Sequence, residues 1–233
     1  MRSEQAMFDL ILGIARDDPR IRAVIMNGSR ASPSAPKDCF QDFDIVYVVT
    51  ETASLLADHS LPGRFGELMI MQMPEAMGDP LCKGDGRFVY LMQFTDGNRV
   101  DLTLLPVTHV AGMERDSQNV LLLDKDGLIE PFPPSSDAHY LPKPPTPKQF
   151  ADCCNEFWWV GPYVAKGLWR DELTYAMSML EIVRNQLTRM LTWHAGARTG
   201  FARSIGKSGK YLRRYLEPEL WDMLIGTYPR AEA

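Results

Sequence analysis

Residues 26–45, MNGSRASPSAPKDCFQDFDI, carry the pattern that decides the fold. An apolar run, IRAVIMN (21–27), ends at a Gly-Ser pair, and twelve residues later two aspartates spaced one residue apart open a second apolar run, DFDIVYVVT (42–50). Both runs are rich in branched and aromatic residues, which is typical of β-strands. Because side chains alternate between the two faces of a strand, Asp42 and Asp44 are predicted to project from the same face.

Two neighbouring carboxylates repel each other, and a hard cation such as Mg²⁺, which also binds substrate phosphates, relieves that repulsion. Asp101 lies in RVDLTLLP, another apolar run, and is predicted to supply a third carboxylate. Three converging carboxylates can hold two metal ions about 3.5–4 Å apart. Each element also has a simpler interpretation alone: D-x-D as solvated acids, and Asp101 as a residue at a hairpin edge.

The Gly28-Ser29 pair fits the same chemistry, although such a pair alone is usually only a turn. Glycine lets the backbone approach a phosphate closely. The Ser29 hydroxyl and the following amides can donate to phosphate oxygens. The combined pattern predicts nucleotidyl transfer, in which an acceptor hydroxyl attacks the α-phosphorus of a nucleotide and pyrophosphate leaves.

Periodicity elsewhere predicts an α+β protein, with a mixed β-sheet domain and flanking helices followed by a small all-helical domain. Seven prolines between Pro131 and Pro147 predict an extended connector. The expected organisation is therefore a catalytic domain at 1–130, a connector at 131–147 and a helical domain at 148–233 that completes the nucleotide and acceptor cleft. The remaining predicted strands are 65–73, 88–94, 99–106 and 121–124, and the predicted helices are 4–16, 147–169, 171–195 and 207–226.

Composition bounds the function classes. The 233 residues are 45% hydrophobic and 24% charged, which is ordinary for a soluble globular protein. The formal net charge of −5 argues against a general nucleic-acid binder. Residues 1–145 are net acidic and residues 146–233 net basic, which favours two ligands of opposite charge.

Location is predicted from the termini and the cysteines. The N-terminal sequence does not resemble a signal peptide, and no stretch approaches the ~18 apolar residues that span a bilayer. The four cysteines have no zinc-site spacing, so reduced thiols in a cytoplasmic protein are expected. The oligomeric state stays open.

The G-S-x12-D-x-D pattern with a later strand aspartate resembles the DNA polymerase β-like nucleotidyltransferase superfamily. A closer resemblance, to the aminoglycoside 6-adenylyltransferases that modify streptomycin, is carried by GSRAS, PKDCFQDFDIVYVV, MQMPE, RVDLTLLP, LLLDKDG, DCCNEFWWVGPYVAKGLWRDEL and TGFARSIGKSGKYLRRY. It implies ATP- and Mg²⁺-dependent transfer of AMP to a streptomycin hydroxyl, with antibiotic resistance as the outcome. The match assigns Gly28 and Ser29 to the nucleotide, and Asp42, Asp44 and Asp101 to the metal. Members of this family continue with a further helical stretch, so the helical domain is expected to be shorter here.

Further nucleotide contacts are expected from the basic run between residues 198 and 214, which contains no acid. A cation from the helical domain would neutralise the triphosphate tail. The alternative is a solvated helix face. The residues chosen as nucleotide-binding are Ser204, Lys207 and Tyr211, with Arg30 from the first domain.

A general base must take the proton from the acceptor hydroxyl. Related aminoglycoside nucleotidyltransferases place a glutamate at the start of the helical domain for this role, and Glu156 matches that position. Asp101, acting as both metal ligand and base, is the competing candidate. The simpler alternative is a glutamate that the helix dipole favours in the first turns.

Streptomycin carries two guanidinium groups, which bind to carboxylates and aromatic faces. Trp159 and Tyr163 share one helix face, and Glu67 lies on the third predicted strand, so these three are the acceptor-binding candidates. The alternative for the tryptophans of this helix is core packing.

Two other functions remain open. The site could adenylylate another small-molecule or protein hydroxyl. A shortened relative could instead bind nucleotide or drug without turnover. A template-directed polymerase is disfavoured by the acidic first domain.

Overall fold

The computed structural model describes residues 1–78 and 86–228. The chain divides into two compact units, Met1–His139 and Tyr140–Ala233, and each is described by itself.

The first unit is built on a six-stranded mixed sheet with the strand order β3-β4-β5-β2-β1-β6. The neighbours β2 and β5 run parallel, and the other four pairs are antiparallel. A mixed sheet therefore forms, as the sequence predicted. The strands are β1 (Ile21–Met26), β2 (Phe43–Val49), β3 (Leu68–Gln72), β4 (Phe88–Phe94), β5 (Arg99–Pro106) and β6 (Val120–Asp124).

One face of this sheet carries the main core. The amphipathic helix α1 (Glu4–Asp17) buries Met7 and Ile11 against it, and the Ser3 hydroxyl caps the first turn by accepting from the Ala6 amide. The odd-numbered residues of β2, from Phe43 onward, belong to this core. Two short helices, α2 (Gly28–Ala31) and α3 (Ala53–Ala57), are the other α-helices of the first unit within the described residues.

The opposite face carries a smaller core. It includes Val46 and Val48 of β2 and Leu105 of β5, packed with Ala23 and Ile25 of β1. Because strand side chains alternate, Asp44 and Asp101 project from this second face. Asp44 and Asp101 thus lie on the side of the sheet that carries the smaller core.

The second unit is helical. Its helices are α4 (Pro147–Trp169), α5 (Leu173–Arg198) and α6 (Pro218–Ile225). A capping box formed by Thr146 and Gln149 starts α4, with proline at its first position. A sheet unit followed by a helical unit confirms the predicted α+β class.

The helix predicted over 207–226 is wrong. Two 3₁₀ turns, Lys207–Gly209 and Leu212–Arg214, occupy its first half, and α6 starts only at Pro218. The reason is local, because Gly206, Ser208 and Gly209 all have positive φ, which an α-helix does not accept.

Within the described ranges, no helix combines the length and apolar character needed to cross a membrane. The thiols of Cys39, Cys153 and Cys154 are free. Cys82 lies outside the described residues.

Candidate active site

The parallel pairing of β2 with β5 brings two of the predicted carboxylates together. Asp44 lies directly opposite Asp101 in the strand register. Adjacent strands are about 4.8 Å apart, so the two side chains are close neighbours on the same face. Asp42 comes immediately before β2, two residues from Asp44. The structure therefore gathers all three predicted metal ligands at the start of these two strands.

The electrostatics of this carboxylate cluster favour an added cation. Burial raises the pKa of Asp44 to about 6, and the neighbouring charges of Asp101 and Asp42 add to the shift. Burial also raises the pKa of Asp42, although the nearby Arg99 guanidinium opposes that shift. The cluster holds more negative charge than its surroundings neutralise.

Arg99 is the cation that lies on this cluster, and sequence reasoning missed it. Its Nε and Nη2 donate to the two carboxylate oxygens of Asp101, each at 2.8 Å, and its Nε lies 3.6 Å from Asp42 Oδ2. The pattern that reveals it was present in the sequence. Arg99 stands two residues before Asp101 on one strand, and strand alternation puts such residues on the same face.

The Gly28 turn is pressed against the cluster. Gly28 has φ of +70°, and a Cβ at this position would lie 1.9 Å from Asp44 Oδ2. The Asn27 amide donates to the Asp44 carbonyl at 2.9 Å, which fixes the turn to β2. Ser29 is half-buried and its carbonyl accepts from Gln41 Nε2 at 3.2 Å. Only glycine lets the backbone come this close to the carboxylate.

The Arg30 guanidinium binds the backbone of the loop before β2. Its Nε donates to the Asp42 carbonyl at 3.0 Å and its Nη2 to the Gln41 carbonyl at 2.7 Å. The guanidinium stacks 3.8 Å from the centre of the Phe43 ring, and the side chain is only 9% exposed. Arg30 therefore holds the loop that delivers the first aspartate to β2.

The donor set fits a divalent cation in type and charge. Carboxylate oxygens are the hard ligands that Mg²⁺ prefers, and Asp42 and Asp44, whose pKa values are raised, gain from a nearby positive charge. In residues 1–78 and 86–228, however, no group of three or more His, Cys, Asp or Glu side chains is arranged to hold a metal ion as it stands. Both carboxylate oxygens of Asp101 instead accept hydrogen bonds from the Arg99 guanidinium.

The predicted nucleotide residues of the second unit lie in the loop after α5. Ser204 is buried, and its hydroxyl accepts from the Gly206 amide at 3.2 Å. Lys207 is exposed. The Tyr211 ring is flanked by two cations, Lys210 Nζ at 5.2 Å and Arg214 Cζ at 4.2 Å from its centre. The loop thus presents an exposed cationic surface around an aromatic ring.

The predicted base and two acceptor residues share a face of α4. Glu156, Trp159 and Tyr163 follow at spacings of three and four, and the first two are exposed. The alternative of core packing is wrong for the tryptophans of this helix, because Trp158, Trp159 and Trp169 are 74%, 64% and 91% exposed.

Glu67 is not brought to the carboxylate cluster. It precedes β3, is exposed, and accepts from the Thr95 hydroxyl at 3.2 Å. The row of paired residues that starts at Asp101 runs through Leu91 of β4 to Gln72 at the far end of β3. Glu67 is two strands away and five residues before that row.

A mixed sheet, a Gly-Ser turn and paired strand carboxylates define the chain as a nucleotidyltransferase.

The chain belongs to the streptomycin adenylyltransferase family, whose model it matches over residues 1–233. It is 43% identical over 230 residues to an aminoglycoside 6-adenylyltransferase of Campylobacter jejuni, covering 98% of this chain and 80% of that protein. It is 42% identical over 231 residues to an aminoglycoside 6-adenylyltransferase of Bacillus subtilis strain 168, covering 98% and 81%. A crystal structure of an aminoglycoside 6-adenyltransferase from Bacillus subtilis matches with a TM-score of 0.46 and 39% identity, covering 100% of this chain and 82% of that one.

Proposed function

We propose that this protein transfers AMP from Mg²⁺-bound ATP to a hydroxyl of an aminoglycoside, namely streptomycin, with release of pyrophosphate and antibiotic resistance as the outcome. The observation that carries the proposal is the in-register pair of Asp44 and Asp101 with the Gly28 turn pressed onto it. The relatives named aminoglycoside 6-adenylyltransferases support the acceptor class. The acceptor is a small molecule in a cytoplasmic reaction, with no nucleic-acid template and no membrane.

In this proposal Asp42, Asp44 and Asp101 would hold two Mg²⁺ ions. The metal would supply positive charge to the triphosphate and to the leaving pyrophosphate. The turn formed by Gly28 and Ser29 binds phosphate oxygens through its amides and the serine hydroxyl. Arg30 contributes to nucleotide binding by holding the loop before β2 rather than by touching the phosphates, since its guanidinium is bound to backbone carbonyls.

The second unit supplies the remaining contacts. The exposed ammonium of Lys207 suits the triphosphate of the nucleotide. The ring of Tyr211, with its flanking cations, suits the adenine ring and the phosphates. The Ser204 hydroxyl, which accepts from the Gly206 amide, holds the conformation of this loop. We assign residues 1–130 to the nucleotidyltransferase domain, 131–147 to the connector and 148–233 to the helical domain that contributes nucleotide and acceptor contacts.

The acceptor side is assigned to α4. Glu156 is exposed and can take the proton of the acceptor hydroxyl. Trp159 and Tyr163, on the same helix face, offer aromatic surfaces to the guanidinium groups of streptomycin. Glu67 is assigned to a part of streptomycin that lies away from the carboxylate cluster, since Glu67 stands two strands from Asp101. Asp101 is the weaker candidate for the base, because Arg99 occupies both of its oxygens.

The test is pyrophosphate release by the purified chain with ATP and Mg²⁺, with and without streptomycin. We expect release only when streptomycin and the metal are both present, with AMP-modified streptomycin detected by mass spectrometry. A panel of other aminoglycosides and cyclitols then defines the acceptor. ATP binding without pyrophosphate release, for every acceptor of the panel, would contradict the proposal and favour a binding protein without turnover.

A further inference from the structure

One guanidinium lies where the proposed function needs a metal. Arg99 reaches Asp101 with both ends of its fork, at 2.8 Å each, and its Nε is 3.6 Å from Asp42. The side chains of Asp42 and Asp101 are 34% and 20% exposed, so solvent ions can reach them.

The fork excludes a metal at Asp101 while it is in place. A guanidinium that donates to both oxygens of a carboxylate occupies the side on which a cation would bind. A divalent cation and a guanidinium held by the same carboxylates would also repel each other, even in water. Arg99 and the metal are therefore competitors for one position.

The Arg99 side chain is held in place by few contacts. Its side chain is 40% exposed, and within the described part of the chain both of its side-chain hydrogen bonds go to Asp101. Arg22 is a useful contrast in the same sheet. Its guanidinium pairs with Asp126, but it also donates to the Pro19 carbonyl at 3.0 Å, which anchors it to the backbone.

We propose that Arg99 is a tethered counter-cation that holds the carboxylate cluster in the metal-free protein and gives up Asp101 when a divalent cation binds. This inference rests on the proposed function. It means that metal binding and the release of Asp101 by Arg99 occur together. Arg99 keeps three crowded carboxylates together without metal, and it lowers their affinity for free metal by competition.

The first measurement is NMR of the arginine side-chain Nε–H groups during a Mg²⁺ titration. Arg99→Lys identifies the Arg99 signal by its absence. We expect this signal to leave its hydrogen-bonded position and take a solvent-like shift, with the same midpoint as Mg²⁺ binding measured by calorimetry. An Arg99 signal that stays unchanged while Mg²⁺ binds overturns the inference and leaves the proposed function standing. Absence of Mg²⁺ binding also overturns the inference, and the proposed function is then decided by the pyrophosphate-release test with ATP and Mg²⁺.

The second measurement is the affinity for Mn²⁺ without nucleotide, read by electron paramagnetic resonance. Arg99→Gln removes the competitor, so Mn²⁺ should bind on the order of tenfold more tightly than in the unmodified protein. Arg22→Gln removes an equal charge from a remote pair and should leave the affinity unchanged. Equal Mn²⁺ affinity in Arg99→Gln and the unmodified protein would overturn the inference, and Arg99→Met, which also removes the positive charge, gives the same comparison if the glutamine variant does not fold.

Discussion

The first unit contains two clusters of aspartates and arginines, and they differ in charge balance. In the cluster after α1, Asp18 and Asp58 face Arg20 and Arg64, so two negative charges meet two positive ones. In the carboxylate cluster, among the described residues, one guanidinium, that of Arg99, pairs with Asp42 and Asp101, while three aspartates lie together. The same residue types thus serve two purposes.

The pKa shifts follow this balance. The hydrogen bonds from Arg20 hold the pKa of Asp18 below its ordinary value, although its side chain is only 5% exposed. Burial and neighbouring carboxylates instead raise the pKa of Asp44 to about 6. A neutralised cluster stabilises the fold, whereas an under-neutralised one is ready for a cation.

The largest expected effect is on activity, from Asp44→Asn. This change removes a metal ligand while keeping the shape of the side chain. We expect streptomycin-dependent pyrophosphate release to fall by about a thousandfold or more. Because the buried negative charge is also lost, the free energy of unfolding should stay equal or rise by up to about 1 kcal/mol.

The control is Asp126→Asn, which breaks the remote pair with Arg22 and should keep full activity. Retained pyrophosphate release in Asp44→Asn, or a collapse of its stability, would remove the distinction between the two clusters.

Gly28→Ala should have the next largest effect. The new Cβ would collide with the Asp44 carboxylate, and alanine is strained at φ of +70°. We expect a loss of stability of about 1–3 kcal/mol and a fall in activity of about a hundredfold. Gly13→Ala is the matched control, because nothing lies within 4 Å of its added Cβ in α1. It should stabilise the protein by about 0.5–1 kcal/mol, measured by urea denaturation. Equal behaviour of the two variants would contradict the close approach.

Sequence was sufficient wherever a pattern is local. The apolar runs predicted the six strands of the described residues, and alternation along one strand predicted that Asp42 and Asp44 project from one face. The positions of α4 and α5 followed from their helical spacing and the flanking prolines and glycines.

What sequence left undetermined depends on long-range pairing or on single dihedral angles. The parallel pairing of β2 with β5 joins segments more than fifty residues apart, and no local pattern specifies it. Ser208 has a positive φ, and serine is not a residue type from which a positive φ can be predicted. Exposure of Trp159 could not be inferred either, since an apolar residue at helical spacing normally packs inward.

Asp18→Asn tests the balanced cluster. The substitution removes the charge from a buried group that accepts three hydrogen bonds from Arg20, one of them from its backbone amide. We expect a loss of about 2–3 kcal/mol in the free energy of unfolding, because Arg20 loses its main carboxylate partner and keeps only Asp58 and the Ser54 carbonyl. Pyrophosphate release per folded molecule should remain near that of the unmodified protein. A variant that is inactive but fully stable would show that this cluster, too, serves the reaction.

The smallest expected effect is the pH dependence of the difference in stability between the unmodified protein and Asp18→Asn. The pKa of Asp18 is lowered on folding from an ordinary value of 3.8, so the folded state binds its proton less readily than the unfolded chain does. Its stabilising contribution is therefore complete above pH 3.8 and is lost as the pH falls through the lower folded-state value. Urea midpoints of the unmodified protein and Asp18→Asn should differ by a constant amount from about pH 7 to pH 5 and converge below about pH 4. A gap that widens on acidification would mean that Asp18 binds its proton more readily in the folded state, and the two clusters would then not differ in the way described.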